Sequence, residues 1–117
     1  LSEAEGIQWA MRSIEFAFDC GVECCSVVPV RGGNGALDQL QDSGKFTTTT
    51  IHSMEEVLER GLELNRGRVF MDLWDVENFY RCNSCGEQRA ARIHKMNTTQ
   101  LITDSVNCEI NCAGLGE

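Results

Sequence analysis

Apolar residues recur at helical spacing near the start of the chain, where Ile7, Met11, Ile14 and Phe18 fall on one face. Ser2 followed by Glu5 fits a capping box, so the pattern predicts an amphipathic helix over 3–19. It should end near Cys20-Gly21, where glycine can take the left-handed stop conformation. The pattern then changes. From Val22 to Val30 the chain is rich in valine and apolar at odd and even positions alike, which suits a short parallel strand buried on both faces. Arg31-Gly32-Gly33-Asn34-Gly35 breaks this run, and Ala36 to Gln41 reads as a short helix with Asn34 placed to cap it.

Phe46 to Ile51 contains four consecutive threonines and reads as an extended linker or weak strand. Ser53 with Glu56 repeats the capping-box spacing, and Met54, Val57, Leu58, Gly61 and Leu62 supply the stripe of a helix over 54–64. Asn65-Arg66-Gly67 stops it. Val69 to Trp74 reads as a second strand, with Asp72 and Asp75 at its end, placed for capping and turn formation or, as the alternative, for acid/base chemistry. A turn through Glu77 and Phe79 follows, then a helix over 86–96. Helices alternating with strands indicate an α/β (or α+β) fold.

A chain of 117 residues suits one domain or a small lobe with a metal module, and 42% hydrophobic residues suffice for a core. No stretch approaches the roughly 20 apolar residues of a membrane span. The net charge of -8 disfavours nucleic acid as a partner, because phosphate binding needs clustered Lys and Arg. The charge is uneven, however. Arg81, Arg89, Arg92 and Lys95 cluster late in the chain, while Glu55, Glu56, Glu59 and Glu63 crowd an earlier segment. The basic cluster is either a solvated helix face or a site for a small anionic ligand.

The cysteines change the picture most. Cys82-x2-Cys85 and Cys108-x3-Cys112 are two close pairs separated by a helix-length insert. Such pairs read as four thiolates converging on one metal, with Zn²⁺ held tetrahedrally at about 2.3 Å per sulfur, against the alternatives of plain reduced thiols or disulfides. Four thiolates also hold iron–sulfur clusters, so spacing leaves zinc and an iron–sulfur cluster both open. Seven cysteines cannot all pair with one another, and no signal-like segment opens the sequence, which points to a cytoplasmic rather than an oxidising setting.

Other candidates carry less. The Arg31, Gly32, Gly33, Asn34 loop lies between a strand and a helix, where backbone amides can hold a phosphate or carboxylate. It lacks the Gly-Lys-Ser/Thr ending of a P-loop, and a tight turn explains its glycines equally well. Cys20 and Cys24 begin a Cys-x3-Cys-x2-Cys pattern that fails at Val27, so Cys24 and Cys25 read as small buried strand residues. His52 and His94 have no partner in sequence that would argue for a catalytic pair, although His94 could approach the cysteines.

Several of these segments together resemble the C-terminal part of a radical S-adenosylmethionine (SAM) family, that of the archaeosine synthase radical SAM subunit and its bacterial relatives. The resemblance rests on Ser26-Val-Val-Pro-Val-Arg-Gly-Gly-Asn-Gly35 and Gly67-Arg-Val-Phe-Met-Asp-Leu-Trp-Asp75. It continues through Cys82-x2-Cys85, Arg89-x2-Arg92 and Met96-Asn97-x2-Gln100, covering about residues 7 to 112. It implies a barrel-like α/β segment over 1–45, the terminal helix–strand–helix of a partial (β/α) barrel, followed by an extension over 46–117 with a helical four-cysteine metal module. The Arg31–Asn34 loop would then lie at the C-terminal end of a barrel strand, where such barrels bind ligands. The family's catalytic cluster cysteines and most of its SAM site precede this region, so SAM belongs to a full-length parent.

The resulting expectation is an accessory, non-catalytic, metal-stabilised module. The alternative is a fragment of an active tRNA-modification-type radical SAM enzyme, with the four cysteines holding an auxiliary iron–sulfur cluster. A barrel strand without its neighbours exposes an edge, so the chain should pair with a missing N-terminal barrel portion or form a homodimer.

Overall fold

The expected capping box at the N-terminus is present. Ser2 Oγ accepts from the Glu5 N–H at 3.1 Å, and the Ser2 N–H donates to Glu5 Oε1 at 3.2 Å. A computed structural model describes residues 2–29 and 49–108. Helix α1 spans Glu3–Asp19, buries Ile14 and Phe18, and stops before Gly21 at φ +94°. Strand β1 (Cys24–Val27), helix α2 (Ile51–Glu63), strand β2 (Arg68–Met71), a 3₁₀ turn (Val76–Phe79) and helix α3 (Gly86–Thr99) follow. The expected helix over Ala36–Gln41 and the Arg31–Gly35 loop lie outside the described residues.

β1 and β2 pair in parallel, Cys25 opposite Val69 and Val27 opposite Met71. The connection through α2 makes a β–α–β unit, the means by which parallel neighbours are joined. Arg68 N–H donates to Glu23 O at 3.0 Å and Asp72 N–H to Val27 O at 2.8 Å, bounding the ladder. Val69 and Met71 are buried, and Cys25 and Val27 pack against the same cluster. Cys24 and Ser26 are exposed. Burial of β1 on both faces is therefore corrected: valine at successive positions does not bury a strand whose described helices pack one face. A single apolar cluster joins Ile14 and Phe18 of α1 to Leu58 of α2 and to Ile93 and Met96 of α3, so it spans both sides of the threonine run.

Helix α2 begins three residues before its expected start. Its N-cap is Thr50, whose own side chain makes no capping bond. Glu3 supplies the cap from α1. One carboxylate oxygen, Glu3 Oε1, accepts from Thr50 N–H at 3.0 Å, Thr50 Oγ1 at 2.7 Å and Ser53 Oγ at 2.7 Å. Ser53, expected as the cap, is thus inside the helix and tied to the same oxygen.

The two sheet edges are treated differently. Alternation in the ladder turns the main-chain groups of Val69 and Met71 away from β1. The Asn97 side-chain amide accepts from Met71 N–H and donates to Met71 O, both at 2.9 Å. Gln100 does the same for Val69, again at 2.9 Å for each bond. Two side chains of α3 and its C-cap thus take the place of a third strand beside β2. Gln100 reaches this position from a left-handed C-cap at φ 59°. The same alternation leaves the main-chain groups of Cys24 and Ser26 on the outer edge of β1.

Burial opposes ionisation of Glu3, but the bonds from Thr50 and Ser53 outweigh it and hold its pKa below the ordinary 4.5. A folded pKa below the unfolded one gives stability that is complete above the unfolded value and is lost as pH falls through the folded one. Glu3→Ala should therefore lower stability at pH 7 by about 1 kcal/mol, the usual worth of a cap. Urea melts of both proteins should converge as the pH is lowered below 4.5; a gap that widens instead contradicts the cap.

Candidate metal centre

Beyond β2 the chain is steered by Asp75, in left-handed conformation at φ 53°, into the 3₁₀ turn that buries Phe79. The next residues fold back tightly on the start of α3. A Cβ at Gly86 would lie 2.4 Å from Tyr80 Cδ2, so only glycine lets the Tyr80 ring close over this point. The turn between them carries Cys82 and Cys85, and Cys85 is the N-cap residue of α3.

Cys82 Sγ lies 3.4 Å from Cys85 Sγ and 3.6 Å from Cys108 Sγ. All three ligand atoms fall within 4.8 Å of one another. These separations are far too long for a disulfide bond of about 2.05 Å. Cys85 is buried and the other two are half-buried. The cysteine cluster read from spacing is therefore assembled in three of its four members, and this group could hold a metal ion. Cys112, the fourth expected ligand, lies outside the described residues, as do Arg31, Gly32, Gly33 and Asn34, the candidate anion loop. His94 is exposed and does not belong to the cluster. Cys24, read as buried, is exposed because it faces away from the core; Cys25 is half-buried against it.

The acidic and basic clusters that are separate in sequence meet beside the cysteines. Glu55, only 4% exposed, divides its carboxylate between Arg89 Nη1 at 2.8 Å and Arg92 Nη1 at 2.7 Å. Arg92 Nη2 also donates to Glu59 Oε1 and, at 2.7 Å, to Thr103 O. Arg89 Nε donates to Cys85 Sγ at 3.1 Å, and its Nη2 reaches Val106 O at 3.4 Å. Both readings of the basic cluster need correction for these two residues. Arg89 and Arg92 are buried and ion-paired, neither a solvated face nor open to a ligand.

Burial works against the charge on Arg89, but hydrogen bonds to Glu55 and Cys85 overcome it and raise its pKa. Arg92 shows the same balance, with Glu59 and Glu55 opposing the burial. Two buried guanidiniums face one fully buried carboxylate, Glu59 being 28% exposed. The bond from Arg89 Nε also sets this positive charge directly against the Cys85 sulfur, and hydrogen bonds with an ionised partner are the stronger kind. Metal ligands are commonly oriented by such outer partners.

Comparison with protein-family models, curated proteins and solved structures finds no match to this chain. The site is thus characterised by its own geometry. No helix among the described residues is long and apolar enough to cross a membrane.

Glu55 and Glu56 are adjacent but differ in what they hold. Glu56 pairs with Arg60 on the surface, with side chains 43% and 50% exposed. Glu55→Ala takes the buried carboxylate from Arg89 and leaves Arg92 only Glu59, and should cost about 3–5 kcal/mol, as breaking a buried pair does. Glu56→Ala should cost less than about 1 kcal/mol. Urea unfolding of the two variants checks the contrast; equal losses would contradict the buried network.

Proposed function

We propose that this chain is a metal-stabilised accessory module, without catalysis of its own, in which Cys82, Cys85, Cys108 and Cys112 hold one structural zinc ion. The sulfur separations carry this reading. A tetrahedron with 2.3 Å metal–sulfur bonds has edges of about 3.8 Å, and Cys82 Sγ lies 3.4 and 3.6 Å from the sulfurs of Cys85 and Cys108. A cubane iron–sulfur cluster seats each cysteine on a different iron and spreads the sulfurs much farther apart. A single ion therefore suits the group better than an auxiliary cluster. The buried Cys85 and its bond from Arg89 favour a closed structural site over one with an open coordination position. Metal bound there would add directly to folding free energy by joining the start of α3 to the C-terminal residues.

Within this proposal the chain represents the C-terminal part of a radical SAM-like protein, with SAM and the catalytic cluster belonging to the parent. β1 stands for a late barrel strand, and β2 ends the sheet because Asn97 and Gln100 occupy its outer edge. Among the described residues no strand pairs with the outer edge of β1, and the proposal assigns that edge to a neighbouring barrel strand or, in this chain alone, to a second copy. Residues 24–28 carry no charge, so two copies can meet there without like-charge repulsion. Thiols with this role suit a reducing compartment such as the cytoplasm.

Protein purified without added metal should contain close to one zinc per chain by elemental analysis and be colourless. Less than about half an equivalent of zinc plus iron would sink the metal reading, since such sites bind tightly. A brown anaerobic preparation would replace zinc with an iron–sulfur cluster. Light scattering at micromolar concentration should report a dimer, and a clean monomer would remove self-association from the proposal.

A further inference from the structure

The route by which Cys108 reaches the other cysteines has its own mechanical requirement. Cys82 and Cys85 lie at the start of α3, whereas the chain leaves that helix at its far end, after Thr99. A helix of 14 residues is about 21 Å long, so residues 100–108 must run back along nearly its whole length. Gln100 makes the reversal with its left-handed backbone. The returning segment has no regular structure from residue 102 to 108. It also buries little: Leu101 is 68% and Ile102 45% exposed.

Among the described residues, two arginines one helical turn apart bind the main chain of this segment. Arg92 takes Thr103 O, and Arg89 takes Val106 O. The spacing is matched, three residues back on the helix for three residues forward on the returning segment. Glu55 of α2 fixes both guanidiniums by giving one carboxylate oxygen to each. Arg89 then touches Cys85 with its remaining nitrogen, so the same side chain contacts the returning segment and a metal ligand.

We infer that Glu55, Arg89 and Arg92 form a clamp that docks residues 103–106 and so delivers Cys108 to Cys82 and Cys85, making metal occupancy and docking of this segment one coupled equilibrium. The inference rests on the metal reading above and names what assembles that site. Arg92 is a positioning residue in this scheme, since none of its bonds is to a cysteine. Chelation removes the link at Cys108 and leaves a segment without regular structure whose bonds to the helix arginines, among the described residues, are two guanidinium-to-carbonyl contacts. It should then undock while α2 and α3 stay packed through Glu55.

Two measurements test the clamp. In the full wild-type chain loaded with zinc, adding a strong chelator should speed amide hydrogen exchange across residues 101–108 at least tenfold and leave the middle of α2 protected. Arg92→Lys keeps the charge but loses the fork that spans Glu55, Glu59 and Thr103 O. It should weaken zinc binding by about tenfold or more in competition with a chromophoric chelator, the effect of losing a hydrogen bond from a charged group on the segment that carries Cys108. Asp19→Ala, which removes the surface ion pair with Arg66 at the opposite end of α1 from Glu3, should leave zinc affinity unchanged. Wild-type affinity in the Arg92→Lys chain, or exchange in 101–108 indifferent to chelation, overturns the clamp. A wild-type chain that takes up no zinc defeats the metal reading separately. The clamp is then judged by whether Arg92→Lys alone speeds exchange in 101–108, and equal rates overturn it.

Discussion

The Glu55 carboxylate is shared between two guanidiniums in the interior, and much of the second half of the chain depends on that division. The apolar faces of α2 and α3 would pack together without it, since Leu58, Ile93 and Met96 are all buried in one cluster. Apolar packing alone, however, leaves the helices free to slide or rotate. An ionic contact with each oxygen assigned to a different arginine has one satisfactory register. A buried ion pair contributes little net stability, because desolvation offsets the attraction, and its best-attested value is in specifying one arrangement. Here the arrangement specified includes the positions of Cys85, Thr103 and Val106, none of which lies on α2.

Arms from one element completing another are a general device in this small fold. Glu3 of α1 caps α2, and the amides of Asn97 and Gln100 complete the hydrogen bonding of β2. Each replaces something that larger domains obtain from regular structure, a local cap in one case and another strand in the other. A chain of this length has few elements available to cover edges and helix ends, so polar side chains with long reach perform that work.

Legibility in the sequence followed the distance over which each signal acts. α1 was readable from end to end because Ser2, Glu5 and the apolar stripe act within the helix itself. The start of α2 was misplaced because its capping oxygen belongs to a residue 47 positions earlier. The cysteine cluster was legible because short loops between paired cysteines limit where their sulfurs can go, although Cys112 and the Arg31–Asn34 loop fall outside the described residues. The charge clusters were visible as composition, but one-dimensional patterning could not show that Glu55 and Glu59 face Arg89 and Arg92. Arg89 and Arg92 do sit one turn apart, with Glu55 and Glu59 likewise spaced, and matched spacing of opposite charge on two helices was the available clue. The roles of Asn97 and Gln100 had weaker warning, since polar residues near a helix end ordinarily face water.

The amide pairing on β2 has an evolutionary corollary. Asn97 and Gln100 contact the main chain of Met71 and Val69, not their side chains, so the contact is indifferent to which apolar residue occupies either strand position. Substitutions at 69 and 71 are filtered by volume in the core alone. Positions 97 and 100 face the opposite filter: a carboxylate of the same shape lacks the donor that each strand carbonyl requires and sets negative charge against it. Sequence drift on the strand and on the helix end is thereby decoupled. The chain can vary what it packs while keeping fixed what closes its sheet.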